Sequence, residues 1–283
     1  MQTRTGKGDL EMRKFVALLA LVPALAAMPV RAAEDSARLD IAPIDQRDLA
    51  SLQAGARTFV NYCFNCHSAA LVRYSKLQDL GLSEAQIKGN LMFAADKIGE
   101  LMGAAMTRKD ARDWFGVAPP DLSVVARSRG ADWLYTYLRS FYRDPETATG
   151  WNNMVFDRVG MPHVLWTLSG QQVQVEKRFK NSEQAEAAGR QQKNAWKVEE
   201  LTPEQAGKGG ERYILKTIET ETPGSLSQLD YDILVRDLVN FMAWLAEPNQ
   251  VARKQVGIVV LLVLLVLLAL TYLLYKEFWK DVH

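Results

Sequence analysis

The chain reads as mainly α: an exported helical domain followed by one membrane-spanning helix at its C-terminus. Three observations predict this. Apolar residues recur at helical spacing over residues 47–61 and 227–245. Residues 257–275 (GIVVLLVLLVLLALTYLLY) run for nineteen positions without a charge, close to the roughly 20 apolar residues that span a bilayer as a helix. At the other end Arg13 and Lys14 precede an apolar stretch at 15–30 and the small residues Ala32 and Ala33. That order of charge, short apolar run and small-residue exit is the signal-peptide pattern.

These ends divide the chain into a signal peptide (1–33), an exported domain (34–252), a transmembrane helix (253–276) and a short tail (277–283). Met12 is an alternative start. An uncleaved N-terminal membrane helix is the weaker reading, because the run is short and no second basic cluster closes it. The C-terminal span is flanked by Arg253 and Lys254 before it and Lys276 and Lys280 after it. Two basic residues on each side leave the positive-inside rule undecided. Tyr272, Tyr275, Phe278 and Trp279 lie at the far end, where aromatic rings favour the interface with lipid. Residues 34–252 hold 25 Lys and Arg against 29 Asp and Glu. This mild acidity argues against nucleic acid as a partner and is compatible with a basic protein partner.

Within the domain, 47–61 is a helix with Gly55 at a close-packing position. Residues 79–106 are expected to be helical segments, with Ser83 as N-cap and Gly89, Gly99 and Gly103 as interruptions. Ala118-Pro119-Pro120-Asp121-Leu122-Ser123 is a rigid turn leading into a helix. Residues 132–142 (DWLYTYLRSFY) form an aromatic-rich amphipathic helix capped by Asp132. Residues 171–210 are polar, with few apolar anchors, and read as a surface excursion or flexible insertion. Residues 211–220 suit a short strand. Residues 227–245 form a strong helix, with Ser227 and Asp230 at capping-box spacing, broken by Glu247-Pro248-Asn249 just before the anchor.

The chemistry resides in Cys63-Phe64-Asn65-Cys66-His67. Two thiols three positions apart on one turn can add across the two vinyl groups on one side of a haem, and the following imidazole then points at the iron. C-x-x-C-H is the attachment signal for c-type haem. A thioredoxin-like pair would need a βαβ context, which is missing here. A zinc site would need two further ligands, and only His163 and His283 stand outside the motif, the latter beyond the membrane span. The motif therefore implies one covalent haem c with His67 as an iron ligand. For the sixth position Met161, in the Gly/Pro-bracketed Val159-Gly160-Met161-Pro162-His163, and His163 both remain open. Met154 is a further candidate, while Met92, Met102 and Met106 sit in a helical pattern and read as core.

Several strings taken together resemble the cytochrome c1 family. They are Cys63-Phe64-Asn65-Cys66-His67-Ser68, then Ala118-Pro119-Pro120-Asp121-Leu122-Ser123, then Gly160-Met161-Pro162, then Arg236-Asp237-Leu238-Val239-Asn240-Phe241 and Ala246-Glu247-Pro248, and last the tail from Tyr275 to His283. The resemblance implies a class I cytochrome c-like haem domain with insertions plus one C-terminal transmembrane helix. It implies thioether bonds at Cys63 and Cys66, and iron ligation by His67 and Met161. It implies a redox subunit, non-catalytic by itself, of a proton-translocating quinol–cytochrome c reductase. Such a subunit would take an electron from a Rieske iron–sulfur protein, sit beside cytochrome b and membrane lipid, and pass the electron to a cytochrome c. The haem domain would lie in the periplasm of a bacterial inner membrane. On this reading Arg112 and Arg127 are candidates to pair with a haem propionate. Two places depart from the family pattern: Asp157 follows Phe156 where proline is common, and 171–210 has no clear counterpart. A membrane-tethered cytochrome feeding a terminal oxidase or dehydrogenase is the alternative.

Overall fold

The computed structural model describes residues 37–192, 194–202, 205 and 210–280. The expected signal peptide and the last three residues of the tail lie outside the described residues.

Two helices form the centre of the domain. Helix α1 (Leu49–Tyr62) begins at Asp48, whose carboxylate accepts from the backbone N–H of Ser51 at 3.1 Å. Helix α8 (Gln228–Ala246) begins at Ser227, whose hydroxyl accepts from Asp230 N–H at 3.2 Å and donates to the Asp230 carboxylate at 2.6 Å. Leu52, Ala56, Phe59 and Val60 of α1 are buried against Val235, Leu238, Val239, Phe241 and Met242 of α8. The Phe59 and Phe241 rings lie 5.5 Å apart. At the crossing stands Gly55, where an added Cβ would come within 2.0 Å of the Asp237 carbonyl oxygen. Glycine is required there because the two backbones touch. One edge of the contact is polar: Ser51 Oγ donates to Asp237 at 2.7 Å and accepts from Asn240 at 3.0 Å.

Around this pair the chain alternates short helices with small sheets. Strand β1 (Ala69–Arg73) pairs antiparallel with β2 (Leu101–Met102), and a 3-10 helix (Tyr74–Leu80) and α2 (Glu84–Asn90) lie between them. Ser83 caps α2 in a reciprocal box with Gln86. Beyond Asn90 the expected helical segments do not form. The end of the 91–100 stretch lies instead along the start of the 3-10 helix, with Ser75 N–H bonded to Ile98 O at 2.8 Å and Tyr74 N–H to Glu100 O at 3.1 Å. Met92 and Met102 are core residues off any helix, and Met106 is half-exposed.

Helix α3 (Arg108–Phe115), α4 (Val125–Arg129) and α5 (Ala131–Arg139) come next, and α5 runs into the hairpin β3 (Phe141–Arg143) and β4 (Trp151–Asn153). Gly130, not Asp132, occupies the N-cap of α5. The Asp132 carboxylate instead accepts from Ala42 N–H at 2.8 Å, fixing the segment that enters the domain. The same segment is held by Asp40, which pairs with the buried Arg139 at 2.6 Å, while Arg139 also pairs with Asp232 at 2.7 Å.

The described residues within 171–210 form regular structure and not a flexible excursion. With 211–223 they build a three-stranded antiparallel sheet in the order β5 (Gly170–Phe179), β7 (Tyr213–Pro223), β6 (Lys197–Glu200), with α6 (Trp166–Ser169) before it and α7 (Ser182–Gly189) inserted in it. The expected strand at 211–220 is the central one. Ala37, Tyr142, Met154, Ala195 and Ile218 form a second small core beside this sheet. "Mainly α" is therefore too simple, since strands take 16% of the described residues beside 46% helix.

Helix α9 (Gln250–Phe278) follows the break at Glu247-Pro248-Asn249 and has a mean hydropathy of 3.1 over its most apolar window. Among the described residues it is the one helix long and apolar enough to cross a membrane.

The Gly55 contact gives a direct test. Gly55→Ala forces two backbones apart rather than displacing a side chain, and overpacking of this kind costs up to about 3 kcal/mol. The variant should show a clearly lowered melting temperature, measured by circular dichroism. An unchanged melting temperature would mean that α1 and α8 are not in backbone contact.

Candidate haem site

Helix α1 delivers the motif. Its last turn closes with Cys63 N–H on Phe59 O at 2.9 Å, and the chain then curls so that Cys66 N–H and His67 N–H both reach Cys63 O, at 3.2 and 2.9 Å. One compact turn thus gathers both sulfurs and the imidazole. Both thiols are free, Cys63 buried and Cys66 half-buried. Burial pushes the Cys63 thiol up to about 12 and raises Cys66 as well. Among the described residues no three His, Cys, Asp or Glu side chains converge as metal ligands.

His67 is oriented from behind. Its Nδ1 lies 2.8 Å from the carbonyl oxygen of Pro120. A carbonyl only accepts, so Nδ1 carries the proton and Nε2 keeps its lone pair free for iron. Burial lowers the imidazole pKa, against opposing contributions from the Pro120 carbonyl and the Asp121 charge. The loop that supplies this carbonyl is laced to the motif. Leu122 N–H bonds Ser68 O at 2.8 Å. The Asp121 carboxylate accepts from Ala70 and Ser123 N–H, each at 2.8 Å, and Ser123 Oγ accepts from Leu71 N–H at 3.0 Å.

The Met161 loop lies beside the same stretch. A Cβ on Gly160 would meet Val117 Cγ1 at 3.8 Å, and Val117 is three residues from Pro120, at most about 10 Å of chain. Met161 is half-buried against the main core, and Tyr137 Oη donates to its sulfur at 3.5 Å. His163 faces elsewhere. It is 2% exposed, its ring stacks on Phe141 at 4.8 Å and meets Trp151 edge-on at 5.1 Å, and its Nε2 is 2.8 Å from Ser169 Oγ. Met154 is buried beside the sheet, its sulfur 3.8 Å from Gln174 Nε2.

These donors fit a covalently bound haem: two free thiols on one turn, an imidazole with a free Nε2, and a thioether on a neighbouring loop. The apolar side chains of Trp114, Val117 and Phe156 stand exposed, as side chains that a large apolar ring could cover. The two propionate candidates separate. Arg127 pairs with Glu247 at 3.3 Å, while Arg112 is exposed on α3. Sequence reasoning missed two contributors. The Pro120 carbonyl is a backbone group and leaves no mark on residue type. Tyr137 was one of several aromatic residues on α5, and its four-residue spacing from Trp133 and to Phe141 was the available signal.

Comparison with known proteins follows this geometry closely. The chain is 42% identical to the cytochrome c1 of Allochromatium vinosum over 96% of its own length and the whole of that protein. It belongs to the cytochrome c1 family. The Cytochrome C1 family pattern matches residues 41–115 and 217–282, blocks that contain the haem motif and helices α8 and α9. Met161 and the three-stranded sheet fall largely between them. The cytochrome c1 of Rhodospirillum rubrum is 28% identical over 83% of each chain. A protein of Nitrosomonas europaea named ammonia monooxygenase gamma subunit is 44% identical over 97% of this chain and all of its own. As a member of the cytochrome c1 family, the protein carries one covalently attached c-type haem.

The buried His163 yields a pH prediction. Burial pushes its pKa down from 6.5 to about 3. Between those values the unfolded chain binds a proton that the folded chain does not, so stability falls as the pH is lowered through that window, by up to about 1.4 kcal/mol per pH unit. His163→Gln removes this contribution. Its loss of thermal stability between pH 6 and pH 4 should be shallower than that of the wild type. Equal slopes would show that His163 is accessible to protons in the folded state.

Proposed function

We propose that this chain is the haem-bearing electron-transfer subunit of a quinol–cytochrome c reductase, passing one electron from a Rieske iron–sulfur protein to a cytochrome c. The observation that carries this reading is the likeness to a cytochrome c1 over essentially the whole of both chains. Cytochrome b and the Rieske protein are the partners within the complex.

The haem supplies a one-electron ferric–ferrous couple. The chain's own residues hold and tune it. Cys63 and Cys66 anchor it through thioethers. His67 offers Nε2 as the proximal ligand, kept in the right tautomer by the Pro120 carbonyl. Met161 offers its thioether as the distal ligand, a choice supported by the engagement of His163 with Ser169, Phe141 and Trp151. A neutral soft sulfur favours ferrous iron, which suits an acceptor for a Rieske centre of raised potential. Arg112 remains a propionate partner on this reading. Arg127 is held partly by Glu247.

The domain divisions follow the function. A signal peptide at 1–33 exports the haem domain (34–252) as a class I cytochrome with insertions. The helix at 253–276 anchors it in the inner membrane, with the haem on the periplasmic side and residues 277–283 in the cytoplasm. A second reading places the chain as a tethered cytochrome outside this complex. Its support is the name of the Nitrosomonas relative, which assigns that protein to a different enzyme.

Purification of a tagged chain in mild detergent separates the two. Cytochrome b and a Rieske protein should copurify with it in constant ratio, together with quinol-dependent reduction of the haem. Stable association with a monooxygenase, oxidase or dehydrogenase subunit, without cytochrome b, would favour the second reading.

A further inference from the structure

We propose that Tyr137 is a positioning residue for the Met161 thioether and raises the haem potential through its hydrogen bond to the sulfur. This rests on Met161 being the distal ligand, as proposed above. The phenol oxygen lies 3.5 Å from Met161 Sδ. Among the described residues that sulfur is the hydroxyl's one hydrogen-bond partner. The ring cannot swing away. Trp133 stacks on one side at 4.7 Å with planes 12° apart, and Phe141 meets it edge-on at 5.0 Å. Trp133 and Tyr137 lie four residues apart on α5 and share one helix face, and Phe141 follows as the first residue of β3. The loop is gripped from its other end too, because Phe141 also stacks on His163, which Ser169 holds.

A thioether sulfur has two lone pairs. With one directed at the iron, the other is free to accept the phenol proton, and the bond fixes which lone pair faces the metal. It also draws electron density from the sulfur. A weaker donor destabilises ferric iron more than ferrous iron, so the potential rises. Hydrogen bonds from beyond the ligands are a recognised means of tuning such centres.

The test is Tyr137→Phe in the purified full-length chain with its haem, read by redox titration and by the weak sulfur-to-iron absorption band of the oxidised form. Phenylalanine keeps the ring stack and removes only the oxygen. At a fixed poise near the midpoint the oxidised-to-reduced ratio should rise about fivefold, roughly 40 mV for one electron, and the band should shift while persisting. Fluorotyrosine at position 137, a stronger donor, should move the potential upward, and it needs no change of packing. Thr217→Val is the structural control. Its buried hydroxyl donates to Val175 O at 3.4 Å within the sheet, so its loss should lower the melting temperature and leave the potential where it was. Met161→Leu separates this inference from the reading beneath it. If Met161→Leu retains the band, the ligand assignment fails and this proposal falls with it. If Met161→Leu abolishes the band while Tyr137→Phe and fluorotyrosine leave the potential unmoved, the ligand stands and the role of Tyr137 is overturned.

Discussion

The backbone contact between α1 and α8 at Gly55 governs the rest of the domain. Helix α1 runs straight into the turn that carries Cys63, Cys66 and His67, so the depth at which α1 sits on α8 decides where the haem attachment lies. A side chain at position 55 would collide with the Asp237 carbonyl. Asp237 also takes the Ser51 hydroxyl and the Arg236 guanidinium, at 2.7 Å each. Register along the crossing is thus fixed by a close approach and by a buried polar group that has to find its partners. From that fixed point the 118–123 loop is laced to β1, and its Pro120 carbonyl orients the imidazole. The site is built outward from packing to hydrogen bond to ligand.

His163 and Met161 show how two residues of similar ligating ability take different roles two positions apart. Burial and two aromatic rings keep His163 neutral, and Ser169 occupies its Nε2. Met161 keeps its sulfur at the boundary of the core, with Tyr137 as its polar contact. A buried cation at position 163 would carry a desolvation cost with no carboxylate beside it to offset it. The neutral imidazole serves as a flat packing element that holds the Met161 loop in place.

Much of the site was legible in the sequence because it depends on local spacing. The C-x-x-C-H string, the period of α1 and α8, the Ser227 cap and the apolar run of α9 are properties of neighbouring residues. What was hidden depends on contacts distant in sequence. The strands of 171–210 read as surface because residues turned toward the protein are polar or small. Along β5 the buried positions are Gly170 and Gln172, the latter 2% exposed, so large apolar residues do not mark the inward face of that strand. Asp132 has the composition of a cap but spends its carboxylate on Ala42, ninety residues away in the chain. Residues 91–100 looked helical, yet the chain leaves the helix after Asn90 and the carbonyls of Ile98 and Glu100 bond to Ser75 and Tyr74, a case of tertiary pairing overriding local preference.

The account's central claim is that one haem is held between the His67 imidazole and the Met161 thioether. Iron-edge X-ray absorption on the purified chain, grown with selenomethionine, tests it most directly. The account predicts one selenium neighbour of the iron, lost in Met161→Leu and retained in His163→Gln. An iron surrounded by nitrogen alone, with no selenium neighbour in the otherwise native chain, would contradict it.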